Sequence, residues 1–317
     1  MPIIDKKAPA PVNTDQMAHW KPLHRIENMG ASVQITANEL HGLPYSRLLY
    51  AEGDSWFDKF TPLPKSGTNL IEALRLPEFS VVVDASHIGE TADKLVKGWQ
   101  RRQTQAQFDL FGFDAILLSI GGNDLIDLFE EIYLKQAEAQ AGQMLRPDDL
   151  QKVHALIRGQ VITPFFDQVI ANIKHFVGQR DRAKNAKTSK APLILHGYDW
   201  MQPRPAKSII LAGTPFGSGP WLYETMSHAG LNDTQMTQAA QEVVDEFNRR
   251  LIQMVNELGP EANIWLLDQR GTLERAAPGS TGHSGDWADE IHLTQDGYRK
   301  LANRFWNPWL AKALNLI

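Results

Sequence analysis

The sequence predicts a doubly wound α/β protein built on a parallel sheet, and three observations carry that expectation. Five short apolar runs recur along the chain with helical stretches between them, and right-handed crossovers leave little other arrangement for such an alternation. The second and third runs, Phe79-Ser80-Val81-Val82-Val83-Asp84-Ala85 and Ala115-Ile116-Leu117-Leu118-Ser119-Ile120, are apolar on both faces, as strands covered by helices on both sides require. The first three runs end in polar turns that contain glycine. With 317 residues, 43% of them hydrophobic, the chain can bury a sizeable core as one large domain or as one domain with a helical subdomain.

Residues 1–44 are rich in Pro, Asn and polar side chains and read as an N-terminal arm or edge element, with only a short alternating patch at Ser32-Val33-Gln34-Ile35-Thr36. The domain proper is expected over 45–317. Its first strand, about 46–53, runs into Gly53-Asp54-Ser55-Trp56. A Pro/Gly loop at 61–67 follows, then Thr68 as the expected N-cap of a short helix over Asn69-Leu70-Ile71-Glu72-Ala73-Leu74. The second strand opens into Ser86-His87-Ile88-Gly89-Glu90-Thr91, and a helix of roughly 90–108 leads to the third, which ends in Gly121-Gly122-Asn123-Asp124. From about 125 to 190 the pattern is a helical insertion, with a break near Arg146-Pro147-Asp148-Asp149.

The fourth strand is Pro192-Leu193-Ile194-Leu195-His196-Gly197-Tyr198-Asp199. The Pro/Gly/aromatic stretch 200–233 looks too irregular for a regular element and long enough for a lid or binding loop. An amphipathic helix over about 234–258 leads to the fifth strand, Ala262-Asn263-Ile264-Trp265-Leu266-Leu267-Asp268, and Thr294 can cap a closing helix with the apolar stripe Tyr298, Leu301, Phe305 and Trp309. A flavodoxin-like order, 2-1-3-4-5, is the expected arrangement of this five-stranded parallel sheet.

Composition narrows the function. A formal net charge of −5, with no basic run in the first half, argues against nucleic-acid binding. The one basic segment, Gln179 to Lys190, reads as a solvated helix end and loop. The absence of cysteine excludes disulfides, thiolate metal sites and a Cys nucleophile. The first eleven residues lack the apolar core of a secretory signal, and no run approaches the ~18 apolar residues of a membrane span. A soluble protein that stays inside the cell is the expectation; export without a cleaved signal would leave the same sequence.

In a parallel sheet the turns after the strands share one rim, so Ser55, Gly89, Asn123 and the Asp289/His292 pair should converge there. Ester cleavage by a serine needs a base for the hydroxyl proton, a group to orient that base, and donors aimed at the developing oxyanion. Ser55 suits the nucleophile and His292 the base, since an ordinary imidazole titrates near neutral pH. Asp289, three residues before the base, would orient the ring. The oxyanion donors would be the backbone amides of Ser55 and Gly89 and the side-chain amide of Asn123.

Those blocks, Gly53-Asp54-Ser55, Val82-Val83-Asp84-Ala85-Ser86-His87-Ile88-Gly89-Glu90-Thr91, Gly121-Gly122-Asn123-Asp124 and Asp289-Glu290-Ile291-His292, resemble the four ordered blocks of the SGNH (GDSL) hydrolase family from about residue 46 to the C-terminus. The resemblance implies esterases, lipases, thioesterases or carbohydrate acetylesterases that work without a metal or other cofactor, with Ser55, Gly89, Asn123 and His292 in the four named roles. Two positions depart from the usual pattern: Trp56 follows the serine in place of Leu or Ile, and Asp84 stands where many relatives carry Asn. Both bear on the pocket beside the serine.

Trp56, His87, Asp124, Trp200, Trp221 and Trp287 are candidates to line the substrate site, although core packing explains the tryptophans equally well. The competing chemistry is a metallohydrolase built from Asp54, Asp124, Asp289 and His292; the other histidines show no metal-ligand spacing. The expected activity is therefore that of a serine esterase or lipase acting on a small-molecule or lipid ester. A carbohydrate or peptidoglycan O-acetylesterase is the alternative on the same rim, and a binding module without turnover is the alternative of another class.

Overall fold

The computed structural model describes residues 17–28, 32–58, 69–139, 162–209 and 217–317. Among them the central sheet has six strands: β1 (His24–Glu27), β2 (Arg47–Gly53), β3 (Ser80–Asp84), β4 (Ala115–Ser119), β5 (Leu193–His196) and β6 (Ile264–Leu267). Their spatial order is β6-β5-β4-β2-β3-β1, and every pairing is parallel. The five expected strands stand in the expected order. The sixth, β1, extends the sheet beyond β3 and corrects the count of five. Only Ile26 of its four residues is buried, which is why so short an edge strand left no alternating signal.

Helices connect the strands. They are α1 (Val33–Leu40), α2 (Ser55–Asp58), α3 (Leu70–Ala73), α4 (Ala92–Leu95), α5 (Gly98–Leu110), α6 (Gly122–Ala139), α7 (Thr163–Asp181), α8 (Trp221–His228), α9 (Asp233–Leu258), α10 (Gln295–Leu301) and α11 (Asn307–Ala313). Several expectations need amendment. The Ser32–Thr36 patch forms the start of α1, with Ser32 accepting from the amide of Ile35. Asn69 caps α3 by accepting from Glu72, in place of Thr68, which lies outside the described residues. The single helix over 90–108 is two, α4 and α5, and part of the stretch read as irregular is the helix α8. The 61–67 loop, the break at 146–149 and residues 210–216 of the long loop lie outside the described residues.

The basic segment also differs at its start. Arg180 is 2% exposed and donates to the carbonyls of Ala191 and Ala262, so it ties α7 to the ends of β5 and β6 and is not a solvated charge. Of the two C-terminal helix starts, that of α10 is as expected and that of α9 adds a cap beyond the expectation. Asn232 and Gln235 form a capping box at the start of α9, and Thr294 caps α10 by accepting from Gly297. No helix among the described residues is long and apolar enough to cross a membrane.

The core of the sheet is β2, β3 and β4, whose residues are almost all buried. β2 and β4 come closest at their ends, where Gly53 pairs with Ser119. Gly53 has a φ of 148°, and a Cβ there would stand 2.0 Å from the Ser119 carbonyl oxygen. Only glycine fits, on both counts. Gly53→Ala should therefore lower the midpoint of urea denaturation by the equivalent of roughly 1–3 kcal/mol, the usual cost of overpacking a filled site; an unchanged midpoint would contradict this packing.

Candidate active site

The chain turns sharply after Gly53. The Asp54 amide donates to the Ser119 carbonyl at 2.8 Å, and Ser55 begins α2, so its side chain stands at the carboxyl end of the sheet. The amide of His87 donates to the Gly53 carbonyl at 2.8 Å, which brings the β3 turn alongside. Gly89 in that turn has a φ of 77°, a left-handed conformation that glycine adopts at no steric cost. The third turn joins it through Asn123, whose side-chain amide donates to the Glu90 carbonyl at 2.9 Å.

The C-terminal loop supplies the remaining groups. His292 Nε2 lies 2.9 Å from Ser55 Oγ, and His292 Nδ1 lies 2.9 and 3.0 Å from the two carboxylate oxygens of Asp289. Asp289 also accepts the backbone amides of Ile291 and His292, at 3.0 and 2.8 Å. A carboxylate can only accept, so Nδ1 carries the ring proton and Nε2 presents its lone pair to the serine. All three residues are buried.

Two further buried side chains hold this loop, Arg204 from outside the sequence motifs and Glu290 from within the last one. Arg204 donates to the carbonyls of Asp289 at 2.9 Å, Ser280 at 3.2 Å and Gly282. Glu290 accepts the backbone amides of Arg204, Leu222 and Tyr223, which pins the loop to the start of α8. A small cavity of about 10 Å³, room for about one water-sized group, opens beside Ser55 between Trp56, Asn123, Tyr198, Met201 and Ile291. A far larger hollow of about 640 Å³ lies elsewhere, beside Tyr133, Val243 and Arg250.

The six side chains read as possible lining separate into groups. Trp56 borders the cavity, and the Trp221 ring lies 6.1 Å from that of His292. His87 is half-buried in the β3 turn. Asp124 instead accepts the amide of Ala92, Trp200 donates to Asp245, and Trp287 is buried beneath Trp56 with ring centroids 6.5 Å apart. Tyr198 and Met201 come from the turn after the fourth strand, β5. That turn sits on the same rim, and the rim argument applied to it would have found them. Among the described residues no group of three or more His, Asp or Glu side chains could hold a metal ion.

Three carboxyls around this rim are pushed upward by burial: Glu52 from 4.5 to about 8, Asp124 from 3.8 to about 7 and Glu290 from 4.5 to about 7. Each therefore binds its proton more tightly in the folded chain than in the unfolded one. The stability they contribute is fully present below about pH 4 and is lost as pH rises through 7 and 8. Thermal unfolding should give a midpoint that falls steadily from pH 5 to pH 8, by less in Glu290→Gln than in the parent chain. A midpoint that rises over this range would contradict it.

No curated protein matches the chain. Similar solved structures include a carbohydrate acetylesterase family member from Sinorhizobium meliloti (13% identity, 85% of this chain and 99% of that chain, TM-score 0.47) and a lipase from a goat rumen metagenome (13%, 84% and 97%, 0.48). An acetylxylan esterase from Geobacillus stearothermophilus is similar at 15% identity, over 85% of this chain and 94% of that one, with a TM-score of 0.41. The family described as GDSL-like lipase/acylhydrolase matches residues 26–305, from the edge strand β1 to the C-terminal helices, and the chain accordingly belongs to that family of ester hydrolases.

Proposed function

We propose that the chain hydrolyses short-acyl carboxylic esters through an acyl-enzyme on Ser55. The observation that carries this reading is the continuous line from Asp289 through His292 to Ser55, each step at about 3 Å. Ser55 Oγ attacks the ester carbonyl carbon as its proton passes to His292 Nε2. The resulting oxyanion takes hydrogen bonds from the amides of Ser55 and Gly89 and from the Asn123 side chain. Collapse expels the alcohol, which leaves with the proton from Nε2. Water then repeats the sequence on the acyl-enzyme, activated by the same imidazole, and releases the acid. No cofactor enters this scheme.

A short acyl group is the reading supported by the cavity beside the serine, whose volume of about 10 Å³ has room for about one water-sized group. An O-acetyl ester of a carbohydrate is the form of this reading favoured by Trp221, whose ring beside His292 offers a face on which a sugar could stack.

Initial rates on p-nitrophenyl esters from acetate to palmitate, with chelator present, test both parts. The expected optimum lies at acetate to butyrate and is unaffected by chelator. Ser55→Ala should be at least about ten-thousandfold slower, and Asn123→Ala roughly a hundred- to a thousand-fold slower, with the folds intact. Retained turnover in Ser55→Ala would overturn the nucleophile, and a palmitate optimum would overturn the acyl preference.

A further inference from the structure

Beneath Ser55 runs a buried chain of polar groups that the reaction above does not use. Tyr198 donates its hydroxyl to Asp54 Oδ2, and Asp54 Oδ1 accepts the amide of Trp56 at 3.0 Å. Asp54 Oδ1 also lies 2.8 Å from Ser119 Oγ, and Ser119 Oγ lies 2.8 Å from His196 Nε2. His196 Nδ1 in turn lies 2.8 Å from the Gly197 carbonyl oxygen. All of these side chains are shut off from solvent.

Counting protons along this chain gives a constraint. A carbonyl only accepts, so His196 Nδ1 carries a proton. Ser119 has one proton, and both Asp54 Oδ1 and His196 Nε2 lie 2.8 Å from its oxygen. If it donates to Asp54, then Nε2 must carry a second proton and the ring is an imidazolium. If it donates to His196, then Asp54 must be protonated and donate to Ser119. Either way the set holds one proton more than an ionised aspartate and a neutral histidine.

We propose that this proton resides on Asp54, so that the residue just before the nucleophile is a neutral carboxylic acid at neutral pH and acts as a positioning residue. The His196 ring is enclosed by aromatic rings, with Trp56 stacked at 5.4 Å, Tyr198 at 5.0 Å, Trp306 at 5.4 Å and Phe57 at 6.2 Å. Charging it would create a buried ion pair held apart by a hydroxyl, a costly arrangement. Placing the proton on Asp54 removes both charges and leaves every bond made. Burial acts in the same sense, lowering His196 to about 4 and raising Asp54.

The titratable groups around Asp54 are of both kinds. His292 favours its ionised form, while Asp124, Glu90 and Tyr298 stand within electrostatic reach and oppose it. Its described hydrogen-bond partners include no Arg or Lys. Asp54 lines the same small cavity as Ser55 and Asn123, so an ionised form would repel the oxyanion that those groups are proposed to hold. A neutral acid provides the scaffold without the charge.

The test is ¹⁵N NMR of the full chain labelled at histidine, with the His196 signals assigned by their loss in His196→Gln or, if that variant does not fold, by their selective shift in Ser119→Ala. At neutral pH one protonated and one unprotonated ring nitrogen are expected, with the Asp54 ¹³C carboxyl signal at its protonated position. Two protonated nitrogens, or an ionised Asp54, would overturn the assignment. The catalytic consequence rests on Ser55 being the nucleophile: kcat should fall about tenfold per pH unit above the pH at which Asp54 loses its proton, and a flat profile there would overturn the positioning role. The NMR readout needs no turnover, so the two readings fail separately.

Discussion

The contact on which this structure depends is the close approach of two strand ends, where Gly53 lies against the Ser119 carbonyl. It has room for no side chain, and it fixes where the chain leaves the sheet. Asp54 turns down toward Ser119 and Tyr198, and Ser55 turns up to begin α2. The next strand over from β2 on one side brings Gly89, and the one on the other side brings Asn123. Three of the groups that the proposed chemistry uses thus follow from the register of three central strands.

His292 reaches the same point by a different route. Its loop runs from the edge strand β6 to α10, and its position comes from polar clamps. Asp289 accepts two amides of its own turn, Arg204 collects loop carbonyls, Glu290 collects amides, and the Trp56 indole donates to the Ile291 carbonyl at 2.9 Å. This last bond spans the two halves of the triad. It gives a physical role to Trp56, since an aliphatic side chain at this position would have no donor to offer.

How far the sequence could be read follows from the kind of force involved. Central strands such as Val81-Val82-Val83 and Ile116-Leu117-Leu118 are legible because burial on both faces leaves a continuous apolar run. Ser55, Asp289 and His292 could be singled out as a proposed triad because a serine mechanism would demand particular residue types on the rim. The edge strand β1 is not, since His24, Arg25 and Glu27 are neither periodic nor apolar, and its pairing with β3 comes from tertiary context. The helix α8 is hidden by the glycines and prolines before it and is held at its start by Glu290, 67 and 68 residues beyond the two amides it accepts there. The buried roles of Arg180, Arg204 and His196 are hidden for a related reason: their partners are backbone carbonyls and a distant hydroxyl, which leave no mark on spacing.

The central claim is that Ser55 is the nucleophile and that His292 activates it. Its most direct test is covalent labelling with a small organophosphonate ester, followed by mass spectrometry of the peptides. The account predicts one adduct, on Ser55, formed rapidly in the parent chain and at a rate lower by orders of magnitude in His292→Ala. Label on another residue, or equal labelling in the two proteins, would contradict it.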